Sequence, residues 1–367
     1  MPSKLKVAVV AAFPPPPGGM THQAAMLAEI LAREGADVIR INTNPFGRRK
    51  PRSLRFLYLV SQLGSLGGCD LALIFAGSYA SFFAFSAAPL LAARLAGVRA
   101  VLMYKGGESR SFFRHWGWFV RRCSRLARAV VVPGRYLQGV FETNGMRAHV
   151  VPDIINIAAL PKSNPSSRSG APFILCPRRH DYVGGVDLAV RAFGKVLREF
   201  PDAELHLCGD GEDRPALERL AADVAPARVT FHGFIPHEEL ILFLKRATLL
   251  VNSTRDDNHP NSVLEAMWSG VPVVATAVGG VPFLVRDGDT GFLARPEDAG
   301  DLAEKIAYVL SEPAAAAATA ARARDAVVEF VWPYHRPGLL GTMLAVAGIA
   351  PIDQDDRGSP SPPRRPA

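Results

Sequence analysis

Short, mainly apolar runs recur along the chain, most of them closed by glycine, proline or polar turn residues and followed by a helical pattern. The first, in "KLKVAVVAAF", breaks at "PPPPGGM". "THQAAMLAEILAREG" then carries Ala25, Leu27, Ile30 and Leu31 at helical spacing and stops at Gly35, and "ADVIRIN" is the next strand. Strands that read as continuous apolar runs belong to parallel sheets covered by helices on both faces. The order strand, glycine loop, helix, strand opens a doubly wound α/β domain. "LALIFA", "RAVLMY" and "RAVVVPG" continue it, and "HVVPD" closes it near residue 153.

Residues 161–171, "PKSNPSSRSGA", have turn and linker chemistry. The pattern then restarts with "PFILCP" and runs through "AELHLCG", "VTFHG", "LLVNS" and "VPVVAT", with helical segments between. A chain of 367 residues also exceeds one ordinary core. Two Rossmann-like domains are therefore expected, over 1–160 and 171–330, facing each other across a central cleft. "EFVWPYHRPGLLGTMLAVAG" is expected to cross back onto the first domain as a terminal helix (about 332–350), and residues 351–367 have the composition of a disordered tail.

Composition narrows the function. Cys69, Cys123, Cys176 and Cys208 are widely spaced, without a C-x-x-C pair, so neither a disulfide framework nor a zinc site is indicated. With no signal-peptide pattern, the cytoplasm is expected. Residues 1–165 hold 21 Lys/Arg and 7 Asp/Glu, whereas 166–367 hold 21 and 27. A basic first half implies an anionic partner: nucleic acid, a membrane surface or a phosphorylated substrate. No zinc finger, homeodomain or RNA-binding aromatic signature is present, so nucleic acid is not the expected partner. The stretch at 71–93, "LALIFAGSYASFFAFSAAPLLAA", is uncharged for 23 positions, long enough to span a bilayer. Gly77, three serines and Pro89 interrupt it, which favours a buried strand followed by a packed helix. In "SFFRHWGWFVRRCSRLARA" (111–129), Arg114, Arg121, Arg125 and Arg128 share a helical stripe with Trp118 beside it. Phe112, Trp116, Phe119, Cys123 and Ala127 fall opposite, facing the sheet. The basic stripe, with five more cations in "FGRRKPRSLRF" (46–56), suits either plain solvent or an anionic membrane surface.

Ligands of open α/β sheets bind at the carboxyl ends of strands, in loops such as "TRDDNHPNSVLEAMWSGVPVVATAVGG" (254–280). Asn261 or Ser262 is a good N-cap there, and the amides of Asn261, Ser262 and Val263 would form an anion site at the positive end of a helix. Glu265, one turn deeper, would accept from paired hydroxyls such as a ribose diol, and Asp257 from those of a second sugar. One nucleotide diphosphate-sugar would satisfy both acids and the amides together. An ordinary helix start with acids nearby is the other reading.

The segment "DDNHPNSVLEAMWSGVPVVATAVGGVPFLVRDGDTGFLARPEDAGDLAEKI" resembles the donor-binding region of retaining glycosyltransferases of family four (glycosyl transferases group 1), which have the GT-B fold. The likeness extends through "LHLCGDGEDRPALERLA" and "VTFHGFIPHEEL", and into the first domain at "FPPPPGGM" and "VVVPGRYLQGVFETNGMRAHVVPDII". It implies that Glu265 binds the nucleotide ribose, and that Asp257 stands where the family has a glutamate on the transferred sugar. Asn258 and His259 fall where backbone amides meet that sugar. Gly18 and Gly19 match the first-domain glycine loop, and Gly209 and Gly211 the loop near the nucleotide. The family's diphosphate cations are Arg and, five residues on, Lys. Arg179 matches the first, but Gly184 stands at the second, leaving Arg178 or a first-domain base as substitute. Phe283 replaces the usual Glu after Gly-Gly-x-Pro. Lys105, in "YKGGESRSFF", occupies a loop where relatives often carry a His; it would bind a phosphate or be a plain surface lysine.

The function so implied is retaining transfer of a sugar from a UDP- or GDP-linked donor to a saccharide or lipid-linked acceptor hydroxyl, in cell-surface polysaccharide, lipopolysaccharide or glycolipid synthesis. Arg179, Asp257, Glu265 and Lys105 are the expected catalytic set. No cofactor is expected: "GDGEDR" lacks the third glycine of a dinucleotide fingerprint. No metal is expected either, since "RDGDTGFL" reads as a polar turn. Peripheral docking of the first domain on the inner face of the plasma membrane would bring the cleft to a lipid-linked acceptor. The alternatives are a nucleotide-sugar-binding protein without turnover and a sugar-nucleotide epimerase.

Overall fold

In the computed structural model, which describes residues 4–14, 18–45, 51–161 and 170–349, the apolar runs are the strands of two parallel sheets. The first contains β1 (Lys6–Ala11), β2 (Asp37–Asn42), β3 (Leu71–Ala76), β4 (Arg99–Tyr104), β5 (Ala129–Val132) and β6 (His149–Val150), in the order β2-β1-β3-β4-β5-β6. A short strand, β7 (Asp153–Ile155), follows. The second contains β8 (Phe173–Cys176), β9 (Glu204–Cys208), β10 (Val229–Gly233), β11 (Leu249–Asn252), β12 (Val273–Thr276) and β13 (Phe292–Ala294), in the order β10-β9-β8-β11-β12-β13. Both sheets are doubly wound, and in each the strand order reverses at one point: between β1 and β3, and between β8 and β11. Crevices open there, at the carboxyl ends of the strands.

Alternation along β1 explains why its run is apolar throughout. Ala8 and Val10 join the core on one face of the first sheet, and Val7, Val9 and Ala11 the core on the other. The segment at 71–93 is strand β3 followed by two short helices, Ala80–Phe85 and Ala87–Leu95. No helix among the described residues is long and apolar enough to cross a membrane. The helix expected within 111–129 runs Ser109–Ser124 and buries Phe112, Phe113, Val120 and Cys123. Trp116 departs from the expected inward face: it is 38% exposed and meets Phe83 edge to face, at 4.8 Å between ring centroids. All four cysteines are free and buried, and burial pushes the Cys176 thiol up to about 11 and Cys208 to about 12. Parts of "FPPPPGGM", the 46–56 loop and the 161–171 linker, and the whole 351–367 tail, lie outside the described residues.

The chain returns to the first domain at its far end. β14 (Val331–Pro333) pairs in parallel with β7, Val331 opposite Asp153. The helix Leu339–Val346 then packs Leu339, Leu340, Met343 and Leu344 into the core that holds Val7, Leu27 and Leu71. Its N-terminal amides are met by an acid distant in sequence: Glu34 accepts from Leu339 N at 3.1 Å and Leu340 N at 2.6 Å. A carboxylate at that position satisfies two orphan donors and opposes the helix dipole. Glu34→Ala should cost about 1 kcal/mol, read as a fall in melting temperature of about 2–4 °C. An unchanged melting curve would show that the terminal helix is held by its apolar face alone.

Candidate functional site

A cleft of about 500 Å³ lies between the carboxyl edges of the two sheets, at both reversal points. From the first domain come Gly19 after β1, Ser78 and Tyr79 after β3, Lys105, Gly107 and Glu108 after β4, Pro133 after β5, and Asp153 of β7. The second domain contributes Pro177 to Arg179, Asp181, Val183 and Gly184 after β8, and Asp256 to His259 after β11. Tyr79 and Glu108 hold positive φ angles of 50° and 49°, a sparsely populated region that costs about 1–3 kcal/mol. Both are the residues immediately before helices, Ala80–Phe85 and Ser109–Ser124.

The second-domain wall is assembled by backbone contact. A Cβ on Gly209 would lie 1.9 Å from Arg178 O, and one on Gly211 2.1 Å from His180 O. After β12, a Cβ on Gly280 would lie 1.9 Å from Asn258 O, and Gly280 N donates to Asp257 O at 2.8 Å. The β8 and β11 loops are further tied by Arg255, which grips both Asp187 oxygens at 2.7 and 2.9 Å and donates to Glu297 at 2.7 Å. Such bidentate pairing fixes geometry as well as charge.

This scaffold presents three cation–carboxylate pairs to the cleft. Arg178 Nη1 lies 2.8 Å from Asp257 Oδ2, while Nη2 donates to Thr254 at 3.1 Å. Arg179 pairs with Asp181, with its side chain 69% exposed. Lys105 pairs with buried Asp153, which also lies 3.8 Å from His259 Nδ1. Burial lowers the His259 pKa and, among the described residues, neither ring nitrogen has a hydrogen-bond partner. Asn258 bridges the domains, donating to Gly106 O and accepting from Ser109 Oγ at 3.2 Å. Its side chain is thereby committed to the first domain. Asp256, one position earlier, is half-buried, and Oδ2 lacks a partner among the described residues. Burial, aided by the Asp257 charge and opposed by the Glu108 amide, raises its pKa.

Local structure corrects the expected helix start. The helix is Asn261–Trp268 with Pro260 as its N-cap residue, and neither Asn261 nor Ser262 caps it. Proline fixes the entry angle, and Val263 N is already bonded to Pro260 O at 3.1 Å. Of the three amides expected to bind an anion, that of Val263 is thus taken, and none of Asn261, Ser262 and Val263 lines the cleft. Glu265 is buried and does not line the cleft with Asp257; its Oε1 lies 2.8 Å from His237 Nε2. Gly18 begins the helix Gly19–Arg33, and Gly19 has open space where a side chain would stand. Among the described residues, no group of three His, Cys, Asp or Glu is placed to hold a metal ion.

The position where a lysine was expected has a steric reason to be glycine. A Cβ on Gly184 would lie 1.9 Å from Arg179 O, and Gly184 N donates to Asp181 Oδ1 at 2.8 Å. The loop that aims Arg178 and Arg179 thus closes on residue 184.

Comparison with known proteins follows this geometry. The family model described as glycosyl transferases group 1 matches residues 161–326, the part that carries the second-domain loops. The second domain belongs to the glycosyl transferases group 1 family. Glycogen synthase of Mycobacterium tuberculosis is 29% identical over 229 residues, 62% of this chain and 55% of that protein. The chain thus spans about half the length of this curated relative. Sucrose-phosphate synthase from Thermosynechococcus elongatus superposes with a TM-score of 0.72 at 21% identity, over 94% of this chain and 96% of that one. Anabaena HepE in complex with UDP-glucose gives 0.70 at 18%, over 94% and 98%. At that identity the likeness is one of fold, and the fold is GT-B.

Asp153, Asp181, Asp256 and His237 were not singled out from the sequence. Asp256 had a visible signal, the paired acids of "RDDN"; Asp181 pairs with Arg179 within its own loop, and Asp153 and His237 gain their places through contacts across loops. Introducing a side chain into the loop junction should destabilise the second domain. Gly184→Ala and Gly209→Ala are each expected to cost about 1–3 kcal/mol, measurable by denaturant unfolding. Wild-type stability for either would show that the loops yield freely.

Proposed function

We propose that the protein transfers a sugar from a nucleotide diphosphate-sugar to an acceptor hydroxyl, retaining the anomeric configuration and using no metal. The observation that supports this most is the convergence of Arg178, Arg179 and Lys105 with Asp257 on one cleft between two sheet switch points. A donor diphosphate is anionic, and cations from both walls of the cleft suit it; Asp257 suits the hydroxyls of the sugar. The solved neighbour HepE holds UDP-glucose in the same fold, which favours a uridine donor for the first trial. In the proposed step the bond from the anomeric carbon to the diphosphate oxygen breaks and the acceptor oxygen bonds to the same face. The departing diphosphate takes the acceptor proton. No side chain needs to act as a separate base, and the cations stabilise the charge developing on the leaving group.

Of the two arginines, Arg178 is the better clamp, because its guanidinium is held at the cleft between Asp257 and Thr254 while Arg179 extends outward. Arg178→Ala should lower kcat by about 100-fold, and Arg179→Ala by much less, in a turnover assay with UDP-, GDP- and ADP-linked sugars. The reverse ranking would assign the clamp to Arg179. Nucleotide binding without turnover on any acceptor would favour the non-catalytic reading.

The first domain supports a lipid-linked acceptor. Leu57, Leu95 and Trp118 are 64, 80 and 62% exposed, on three helices that cover the same face of the first sheet. Arg114, Arg121 and Arg125 are exposed on or at the end of the helix that carries Trp118. Exposed apolar residues with cations on one of their helices suit an anionic membrane face, the cytoplasmic leaflet in this reading. Flotation with anionic vesicles should carry the protein upward, with neutral vesicles doing so weakly. Glutamate at Leu57, Leu95 and Trp118 together should abolish flotation, and equal absence of wild-type binding to both vesicles would end the idea.

A further inference from the structure

Glu265 is joined to the first domain through two imidazoles. His237 opens the helix His237–Arg246 and presents Nε2 to Glu265 Oε1 at 2.8 Å. Against its ring lies that of His22, with centroids 4.7 Å apart and planes tilted by 35°. His22 sits on the helix Gly19–Arg33, and its amide bonds to Gly18 O at 3.0 Å. The glycine loop at the cleft and the imidazole beside the buried acid therefore ride on one rigid helical turn.

We infer that His237 is the positioning residue of Glu265, and that His22 makes its placement depend on the approach of the first domain. This rests on the reading of Glu265 as the acid that meets the nucleotide ribose. One carboxylate oxygen is held by His237, which turns the other toward a ligand and removes the freedom to rotate. Withdrawing the first domain takes His22 away and exposes His237 to water. Domain closure and ordering of the ribose contact become one event.

The charges around the pair agree with this geometry. Burial opposes protonation of His237, but the hydrogen bond and charge of Glu265, with a smaller contribution from Glu238, outweigh it and raise the pKa. Burial and the neighbouring His237 charge lower that of His22, against Glu265 and Glu238. These directions favour a proton on His237 over one on His22, whose ring lies tilted against it. His237 adds stability that is complete below the ordinary histidine pKa and is lost as pH rises through its raised value. His22 acts oppositely: stability falls as pH drops from the ordinary value through its lowered one. The contact is strongest in the window between the two.

The test uses the full chain in two arms. Histidine ring resonances followed by NMR should show His237 titrating above the ordinary range, and falling in Glu265→Gln. Calorimetry with UDP, GDP and ADP should show the tightest of the three weakened about tenfold in His237→Ala. His237→Gln, which keeps a donor, should restore most of that affinity, a rescue that a merely structural role would not give. His22→Ala should also weaken binding while the His237 resonance still reports its pairing with Glu265. Wild-type binding of none of the three nucleotides would overturn the donor reading and this role with it. Binding by wild type that His237→Ala and His22→Ala leave unchanged would overturn the positioning role alone.

Discussion

Every second-domain side chain that lines the cleft hangs from a loop pressed backbone to backbone against another. Gly209 meets the Arg178 carbonyl, Gly185 in the β8 loop the Ser253 carbonyl ahead of Asp257, and Gly280 the Asn258 carbonyl, each at a separation that no Cβ permits. Loops joined this way cannot shift independently, so Arg178 and Asp257 emerge 2.8 Å apart as a property of the scaffold. The Arg255–Asp187 pair locks the same junction from outside the cleft. Preorganisation of this kind places charge before a ligand arrives, which is where electrostatic catalysis gains most.

Each of the three cations of the cleft is paired with a carboxylate, while Glu108 and Asp256 add two further acids. Lys105, Arg178 and Arg179 face Asp153, Asp257 and Asp181. A diphosphate entering this site exchanges partners with carboxylates, so part of the desolvation cost of the cations is already met within the fold. The exchange also frees Asp257 for sugar hydroxyls at the moment that Arg178 engages phosphate. Discrimination follows: a ligand lacking either the anion or the hydroxyls breaks a pair without replacing both halves.

The doubly wound fold was legible because parallel strands are buried on both faces, and a run such as Val7 to Ala11 has no polar alternative. The 71–93 segment was legible for a related reason: Gly77 follows the end of the strand, and Pro89 sits in the first turn of a new helix, where its missing amide costs nothing. Among the residues singled out from the sequence, Gly19, Lys105, Arg178, Arg179, Asp257, Asn258 and His259 line one cleft. What stayed hidden was pairing across distance. His22, His237 and Glu265 come from three helices, and Asp153 meets Lys105 across 48 positions. Pro260 as the N-cap residue was hidden as well, because Asn261 and Ser262 carry the usual capping chemistry while proline sets the entry angle. The strained Tyr79 and Glu108 leave no trace in periodicity, since their φ angles are imposed by the loops they close.

The central claim is that one ligand occupies the cleft, with its diphosphate on the β8 loop and its transferred sugar at Asp257, and reaches past the cleft lining to set its ribose on Glu265. A crystal structure of the protein with UDP-glucose tests this most directly. The account predicts diphosphate density at Arg178, with the Arg178–Asp257 pair opened and the ribose hydroxyls on the free oxygen of Glu265. Nucleotide density outside this cleft, or within it with Arg178 still on Asp257 and the ribose away from Glu265, would contradict it.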